Sequence, residues 1–245
     1  MTPGTNLARA AFVVGARRAL VLAVGIVPFG AVYGVAVAQS DVNNWVGGSA
    51  SVLLFAGASQ LSLLDLHDGG AAWLVVVGTT LAINARFLLY SAALAPGFSD
   101  FPAGWRLFLP HLMTDQAATL SVVEYQTEKD PTARRGFYFG AALTLFVFWQ
   151  AGTVLGIVVG AQVPDALQLG FIIPLMFTAL VVPALNRRPA VVAAVVSVVV
   201  TVLGAGLPPG TNILVGALAG LAAGAAVDGA GRDDGGVAAA ERAGR

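Results

Sequence analysis

Residues 18–38 read RALVLAVGIVPFGAVYGVAVA, and this stretch decides the fold class. After Arg18 it holds no charged residue for about 20 positions, the length that an α-helix needs to cross a hydrocarbon layer of about 30 Å. Similar apolar runs of about 18 to 25 residues follow along the chain, separated by short polar clusters. Because lipid offers backbone N–H and C=O groups no partner, these runs are expected to be helices. The sequence therefore predicts an all-α, polytopic membrane protein.

Composition supports the same class. The chain of 245 residues is 57% hydrophobic and 11% charged, whereas soluble domains carry about 25% charged residues. The 13 basic and 13 acidic residues balance, so no nucleic-acid partner is indicated. The absence of cysteine excludes disulfides and thiolate metal sites. His67 and His111 lie far apart in the sequence, so neither a metal site nor a cofactor is expected.

The apolar runs predict about eight transmembrane helices, some of them broken or kinked by glycine and proline. They cover 18–38, 46–64, 70–92, 108–126, 136–160, 168–185, 189–207 and 211–228. The fourth is the weakest candidate, because Thr114, Asp115 and Gln116 make it amphipathic.

Basic residues near the span ends predict the orientation, because cytoplasmic loops of membrane proteins are enriched in Lys and Arg. Four clusters are present: Arg9, Arg17 and Arg18; Lys129, Arg134 and Arg135; Arg187 and Arg188; Arg232, Arg242 and Arg245. Placing all four in the cytoplasm requires an odd number of crossings between residues 45 and 129, which three spans satisfy. Both termini are then cytoplasmic in the inner membrane, with segment 1–17, a single transmembrane domain 18–228 and a flexible tail 229–245.

A cleaved signal peptide is an alternative interpretation of the first apolar run, with Ala36-Val37-Ala38 as its cleavage box. The apolar part of a signal peptide is only about 7–15 residues long. The run here is longer and contains Pro28 and Gly30, so a membrane span is favoured.

Charged residues inside spans are rare and need a reason, since a charge at mid-bilayer costs about 2.5–3.5 kcal/mol on insertion scales. Arg86 in span three and Asp115 in span four are the clearest cases, and their predicted depths match on consecutive helices. His111 precedes Asp115 by four residues, which would place both on one helix face. Either Arg86 snorkels to the headgroups, or the pair is a structural salt bridge, or it binds a substrate carboxylate and ammonium, with Asp115 also able to carry a proton.

Other polar residues in the spans fit less simply. Asn84 lies about 200° around a regular helix from Arg86, so both face one cavity only if the helix breaks there. Gln60 is predicted at a different depth from Arg86 unless span two is broken or re-entrant. Prolines and glycines inside the spans allow such breaks, although plain kinks are an alternative.

Two glycine stripes with a spacing of four predict close helix packing. One comprises Gly152, Gly156 and Gly160, and the other comprises Gly216, Gly220 and Gly224. Whether each packs within this chain or against another chain is left open.

Five segments resemble motifs of the AzlC family of branched-chain amino-acid exporters. They are Pro28-Phe29-Gly30, Phe55-Ala56-Gly57-Ala58-Ser59-Gln60, Asn84-Ala85-Arg86-Phe87-Leu88-Leu89-Tyr90, Met113-Thr114-Asp115-Gln116 and Phe171-Ile172-Ile173-Pro174-Leu175. Two departures are notable, because Phe87 stands where the family often has His and Gln116 where it often has Glu. If either position carries a coupling proton in the family, this chain would have to use Asp115 or His111 for it, or couple differently.

The resemblance implies export of valine, leucine, isoleucine and possibly methionine, together with a small AzlD-type membrane subunit encoded nearby. The candidate substrate-binding or coupling residues are Arg86, Asp115, Asn84, Gln60, Ser59, Thr114 and His111. A channel or non-transporting assembly subunit is the main alternative. An intramembrane enzyme is disfavoured, because the sequence has no HExxH, GxSxG, P-loop or CxxC motif.

Overall fold

The computed structural model describes residues 3–162, 178, 182 and 185–243, and every regular element in these residues is a helix. The elements in chain order are α1 (Pro3–Gln39), α2 (Asn44–Leu53), α3 (Gly57–Asp68), α4 (Trp73–Asn84), α5 (Arg86–Phe98), α6 (Ala103–Phe108), a 3-10 turn (Leu109–Leu112), α7 (Asp115–Thr127), α8 (Pro131–Gly160), α9 (Arg188–Leu203) and α10 (Thr211–Ala243). The all-α prediction is confirmed for the described part of the chain. Nearly all of the predicted span 168–185 lies outside it.

The helices form two compact units. The first comprises Met1–Leu64 and Ile83–Gly170, and the second comprises Asp65–Ala82 and Phe171–Arg245. All seven candidate site residues belong to the first unit. Helix α10 extends to Ala243. The flexibility expected for the tail 229–245 stays a prediction, because helical backbone geometry alone does not report motion.

Four of the described helical segments are long and apolar enough to cross a membrane. They are Thr5–Gln39, Trp73–Phe98, Pro131–Gly160 and Thr211–Gly229, whereas Arg188–Leu203 is apolar but shorter. Eight spans are therefore not confirmed. Two of the predicted spans that are not found, 46–64 and 108–126, are each divided into shorter helices. The other two are 189–207, where the helix is shorter, and 168–185, which lies almost wholly outside the described residues.

A parallel pair of helices, α1 and α8, forms the core of the first unit. Glycines on both helices remove the side chains that would separate the two backbones. A Cβ on Gly136 would meet the Ala8 carbonyl, and a Cβ on Gly156 would meet the Ala31 carbonyl. Contacts therefore advance in the same direction along both helices. The stripe that contains Gly156 is thus a packing surface within this chain, as one of the two alternatives held.

The first hairpin, residues 44–64, starts at the C-terminal end of the α1–α8 pair and turns near its middle. Helix α2 runs antiparallel to α8: a Cβ on Gly48 would contact Ile157, whereas Phe55 stacks edge-on against Phe146 at a ring separation of 5.2 Å. After the turn, a Cβ on Gly57 would meet Trp149.

Helix α3 then returns towards the end from which α2 came. The Tyr33 hydroxyl donates a 2.8 Å hydrogen bond to the Gly47 carbonyl on α2, and the Gln60 side chain on α3 lies beside the same tyrosine. Gly47 and Gln60 are therefore level with each other on opposite sides of the turn. The segment predicted as span two is therefore two shorter helices joined by a turn, and a single crossing helix over residues 46–64 is not confirmed.

The second hairpin, residues 103–127, enters from the opposite end of the pair. Tyr125 donates a hydrogen bond to the Arg134 carbonyl near the start of α8, so α7 ends where α8 begins. Arg86 contacts Asp115 at the start of α7, and a Cβ on Gly97 would meet Tyr125 near its end. Helices α5 and α7 therefore run parallel. The segment predicted as span four also folds back, which corrects the expectation that it runs antiparallel to span three.

The second glycine stripe lies in the second unit, where α10 packs against α9. Added Cβ atoms on Gly216 and Gly220 would meet the side-chain oxygens of Thr201 and Ser197, and one on Gly224 would lie 3.0 Å from Ala193 Cβ. The predicted close packing of this stripe is confirmed, and its partner helix belongs to the same chain.

Candidate functional site

Arg86 and Asp115 form an ion pair at the turn of the second hairpin. Arg86 Nη1 lies 2.8 Å from Asp115 Oδ2, and the two side chains are 34% and 38% exposed. Arg86 is the first residue of α5, and Asp115 is the first residue of α7. The ion pair therefore joins the start of α5 to the turn of the second hairpin.

The ion pair uses only part of the hydrogen-bonding capacity of its two side chains. Arg86 Nε and Asp115 Oδ1 are both buried and have no hydrogen-bond partner among the described residues. An arginine and a carboxylate can form two parallel hydrogen bonds, but here they form one. One buried donor and one buried acceptor thus remain open at the same place.

Asp115 lies in the first turn of α7, directly after the residue that caps the helix. Thr114 precedes the helix with an extended backbone, and its hydroxyl accepts a 3.2 Å hydrogen bond from the Ala117 N–H. Thr114 is therefore the N-cap of α7, and its side chain caps the helix that Asp115 begins. An anion in the first turn also interacts favourably with the helix dipole.

Two aromatic residues of the Asn84–Tyr90 motif adjoin the ion pair. The Arg86 guanidinium lies 5.4 Å from the centroid of the Phe87 ring, a cation–π arrangement. Tyr90 lies close enough to Arg86 and Asp115 to interact electrostatically with both. The side chain that departs from the family pattern, Phe87, therefore packs on the arginine.

Asn84 is separated from Arg86 by an interruption of the helix. Asn84 ends α4, Ala85 lies between the two helices, and the Leu88 N–H bonds to the Ala85 carbonyl with the shorter spacing of a turn. Asn84 Oδ1 is buried without a hydrogen-bond partner in the described structure. The helix is thus irregular beside Asn84, where a break is one of the arrangements that the sequence allows.

Gln60 and Ser59 lie at the turn of the first hairpin. Gln60 is 2% exposed, and neither its Oε1 nor its Nε2 has a hydrogen-bond partner among the described residues. The Ser59 hydroxyl is also buried but donates to the Ala56 carbonyl at 2.9 Å. No hydrogen bond in the described part of the chain links Gln60 to Arg86 or Asp115.

The spacing of four predicts that His111 and Asp115 share a helix face, and this prediction is wrong. His111 lies in the 3-10 turn, and Met113 and Thr114 are extended before α7 starts. Pro110 favours such an interruption, since it removes a backbone donor. His111 Nε2 lies instead 2.9 Å from the Val52 carbonyl oxygen on α2. It therefore connects the turns of the two hairpins.

A buried polar cluster that the sequence did not indicate holds the first hairpin. Ser51 Oγ accepts a 2.8 Å hydrogen bond from Trp149 Nε1 and lies 3.2 Å from Thr153 Oγ1. Gln150 Nε2 donates to the Ser51 carbonyl at 3.0 Å. The three α8 residues lie within two helical turns of each other. The sequence did not indicate them, because the apolar run that contains them has the composition of an ordinary span.

No group of three or more His, Asp or Glu side chains within the described ranges is arranged to hold a metal ion. Separately, the side chains near the two hairpin turns include groups that can recognise charge and hydrogen-bonding partners. They are an arginine donor, a carboxylate acceptor and the amides of Asn84 and Gln60.

Comparison with known proteins covers four of the five segments that resemble family motifs, and the fifth, residues 171–175, lies beyond the match and outside the described residues. The family model described as AzlC protein matches residues 21–163, which includes both hairpins and the Arg86–Asp115 pair. No solved structure shows a significant match.

The similar proteins are membrane proteins without an assigned activity. An uncharacterized membrane protein of Helicobacter pylori strain 26695 is 26% identical over 165 residues, which is 66% of this chain and 71% of that protein. One from Archaeoglobus fulgidus is 29% identical over 147 residues, 57% of this chain and 60% of that protein. With the apolar helices and the family match over more than half of its length, the chain is a membrane protein that belongs to the AzlC family.

Proposed function

We propose that this protein is the large subunit of a secondary transporter that exports branched-chain amino acids. The observation that carries the proposal is the half-satisfied ion pair of Arg86 and Asp115. A zwitterionic amino acid brings one carboxylate and one ammonium out of water, and both charges must be compensated where it binds. Arg86 can donate to the carboxylate, and Asp115 can accept from the ammonium.

The pair gives the carrier a way to avoid stranded charges when it is empty. Arg86 and Asp115 neutralise each other, as the 2.8 Å contact allows. A bound amino acid then replaces that contact by two new ones, which start from the open Nε and Oδ1 atoms. The site therefore has an empty arrangement and an occupied arrangement, and substrate shifts the equilibrium between these two states.

We further propose that the end of the first unit where α1 and α8 begin is cytoplasmic. Basic residues from three parts of the chain lie there: Arg9, Arg17 and Arg18 on α1, Arg106 on α6, and Arg134 and Arg135 on α8. With both hairpins re-entrant, one crossing remains between residues 45 and 129, so the crossing number stays odd. Six crossings and two hairpins then replace eight crossings, and both termini remain cytoplasmic.

This topology predicts the behaviour of reporter fusions. A reporter that is active only in the cytoplasm should be active after Arg245 and also after Asp100, which follows α5. The eight-span alternative places residue 100 in the periplasm instead. Activity after Asp100 of a periplasm-specific reporter, such as alkaline phosphatase, would therefore contradict the re-entrant hairpins.

The proposed substrates are valine, leucine and isoleucine, with methionine as a further candidate, and the proposed partner is a small AzlD-type membrane subunit. The matching experiment loads cells with a valine-containing dipeptide, whose hydrolysis raises internal valine. Efflux should be faster with this gene and its adjacent small membrane gene than with neither. Each gene alone is the control, and the same experiment with an alanine dipeptide tests selectivity.

An assembly subunit without transport activity is the competing function, because the direct Arg86–Asp115 contact also suits a structural ion pair. On that interpretation the two genes together would not change efflux of any tested amino acid. Equal efflux in the presence and absence of both genes would thus replace the exporter by this alternative.

A further inference from the structure

The turns of the two hairpins meet at one hydrogen bond. His111 Nε2 lies 2.9 Å from the Val52 carbonyl oxygen, and a carbonyl oxygen can only accept, so the imidazole donates. Val52 lies in the last turn of α2, where helix carbonyls lack partners within the helix. The imidazole of the second hairpin therefore caps the first.

The two hairpins are anchored differently. The first is held against α8 by Trp149 and Gln150, which bond to Ser51. The deep end of the second hairpin is held by the Arg86–Asp115 ion pair, by the His111 bond and by the Tyr138 hydroxyl, which donates to the Leu109 carbonyl at 3.0 Å. One of these three contacts is the pair for which we propose that substrate competes.

We propose that the hydrogen bond from His111 to Val52 is the latch that keeps the turn of the second hairpin closed over the Arg86–Asp115 site. This inference rests on the proposed function for its consequence, but the latch itself is a property of the two hairpins. When substrate occupies Asp115, the turn of the second hairpin loses its ion pair with Arg86 on α5. The bonds from His111 and Tyr138 then hold the turn, and the His111 bond is the one that joins it to the first hairpin.

The latch therefore sets the access to the site and does not bind the substrate. Met113, two residues after His111, is 5% exposed in the closed arrangement. Its Sδ lies 4.0 Å from the Ser91 hydroxyl on α5, so a turn that has lost both the His111 bond and the ion pair to α5 would leave it exposed. Its accessibility measures the latch without any transport assay.

The chain has no cysteine, so Met113→Cys introduces a single thiol. The labelling rate of this thiol with a membrane-impermeant, charged maleimide would be measured in right-side-out and inside-out vesicles. Adding His111→Leu, which removes the donor, should raise the rate by about three- to tenfold from one side, since a hydrogen bond of this kind is worth about 0.5–1.5 kcal/mol. Adding His111→Gln, which keeps an N–H donor, should raise it much less.

The matched control is Gln150→Leu. It removes another side chain that bonds to the same end of α2 but does not touch the second hairpin. Labelling with Gln150→Leu should stay at the parent rate. An unchanged rate with His111→Leu, or equal increases with His111→Leu and Gln150→Leu, would overturn the latch. An increase with His111→Leu alone in a protein that exports no amino acid would retain the latch and reject the proposed function.

Discussion

Export by the Asp115→Asn variant is expected to fall by about tenfold to a hundredfold at wild-type membrane levels. Asparagine keeps the size of the side chain but loses the charge that faces the ammonium. A charge-assisted hydrogen bond is worth about 1.5–3 kcal/mol, and 1.4 kcal/mol corresponds to a factor of ten. Arg86→Lys should cause a similar loss, because a point charge replaces the planar fork that holds a carboxylate.

The control for this prediction is Arg106→Lys, which changes another arginine of the first unit that takes no part in the ion pair. Its efflux should match that of the wild type. The exchange of the two residues, Arg86→Asp with Asp115→Arg, should not restore export, because it reverses the orientation of the site. Wild-type efflux by Asp115→Asn would show that Asp115 is neither a substrate ligand nor a proton carrier.

Substitution of Gly156 by alanine is expected to prevent accumulation of the folded protein. The added Cβ would overlap the Ala31 carbonyl on α1, and a backbone atom cannot rotate away as a side chain can. Overpacking of a close-packed interior costs about 1–3 kcal/mol even where side chains adjust. The parallel α1–α8 pair would have to separate, and both hairpins pack on it.

Gly25→Ala is the matched control, since Gly25 lies on α1 and no heavy atom would lie within 4 Å of its added Cβ. Its membrane level, measured by fluorescence-detected size-exclusion chromatography, should equal that of the wild type. A monodisperse Gly156→Ala protein at wild-type level would show that the two helices are not held at this distance.

Several features of the site follow from the sequence. Arg86 and Asp115 stand out because a charge in an apolar run is costly. Their matching depth was counted on antiparallel spans, whereas α5 and α7 are parallel and the two residues meet at the starts of these helices. Helix geometry also raised a break beside Asn84 as one possibility, since two residues about 200° apart cannot face one cavity on a regular helix. The role of Ser51, Trp149 and Gln150 does not follow, because none of them departs from the composition of an ordinary span.

The sequence by itself determined the all-helical class and the membrane environment, because both depend on composition and on the length of the apolar runs. It indicated Arg86 and Asp115 as candidates, and the tertiary structure decided that they form an ion pair. Only the tertiary structure decided that residues 44–64 and 103–127 fold back. A hairpin of two half-length helices has the same hydropathy as one crossing helix. The positive-inside pattern also could not distinguish them, since one crossing and three crossings between residues 45 and 129 are both odd. Contacts such as His111 with Val52 and Gly97 with Tyr125 depend on the direction of each half-helix, and packing against α1 and α8 sets that direction.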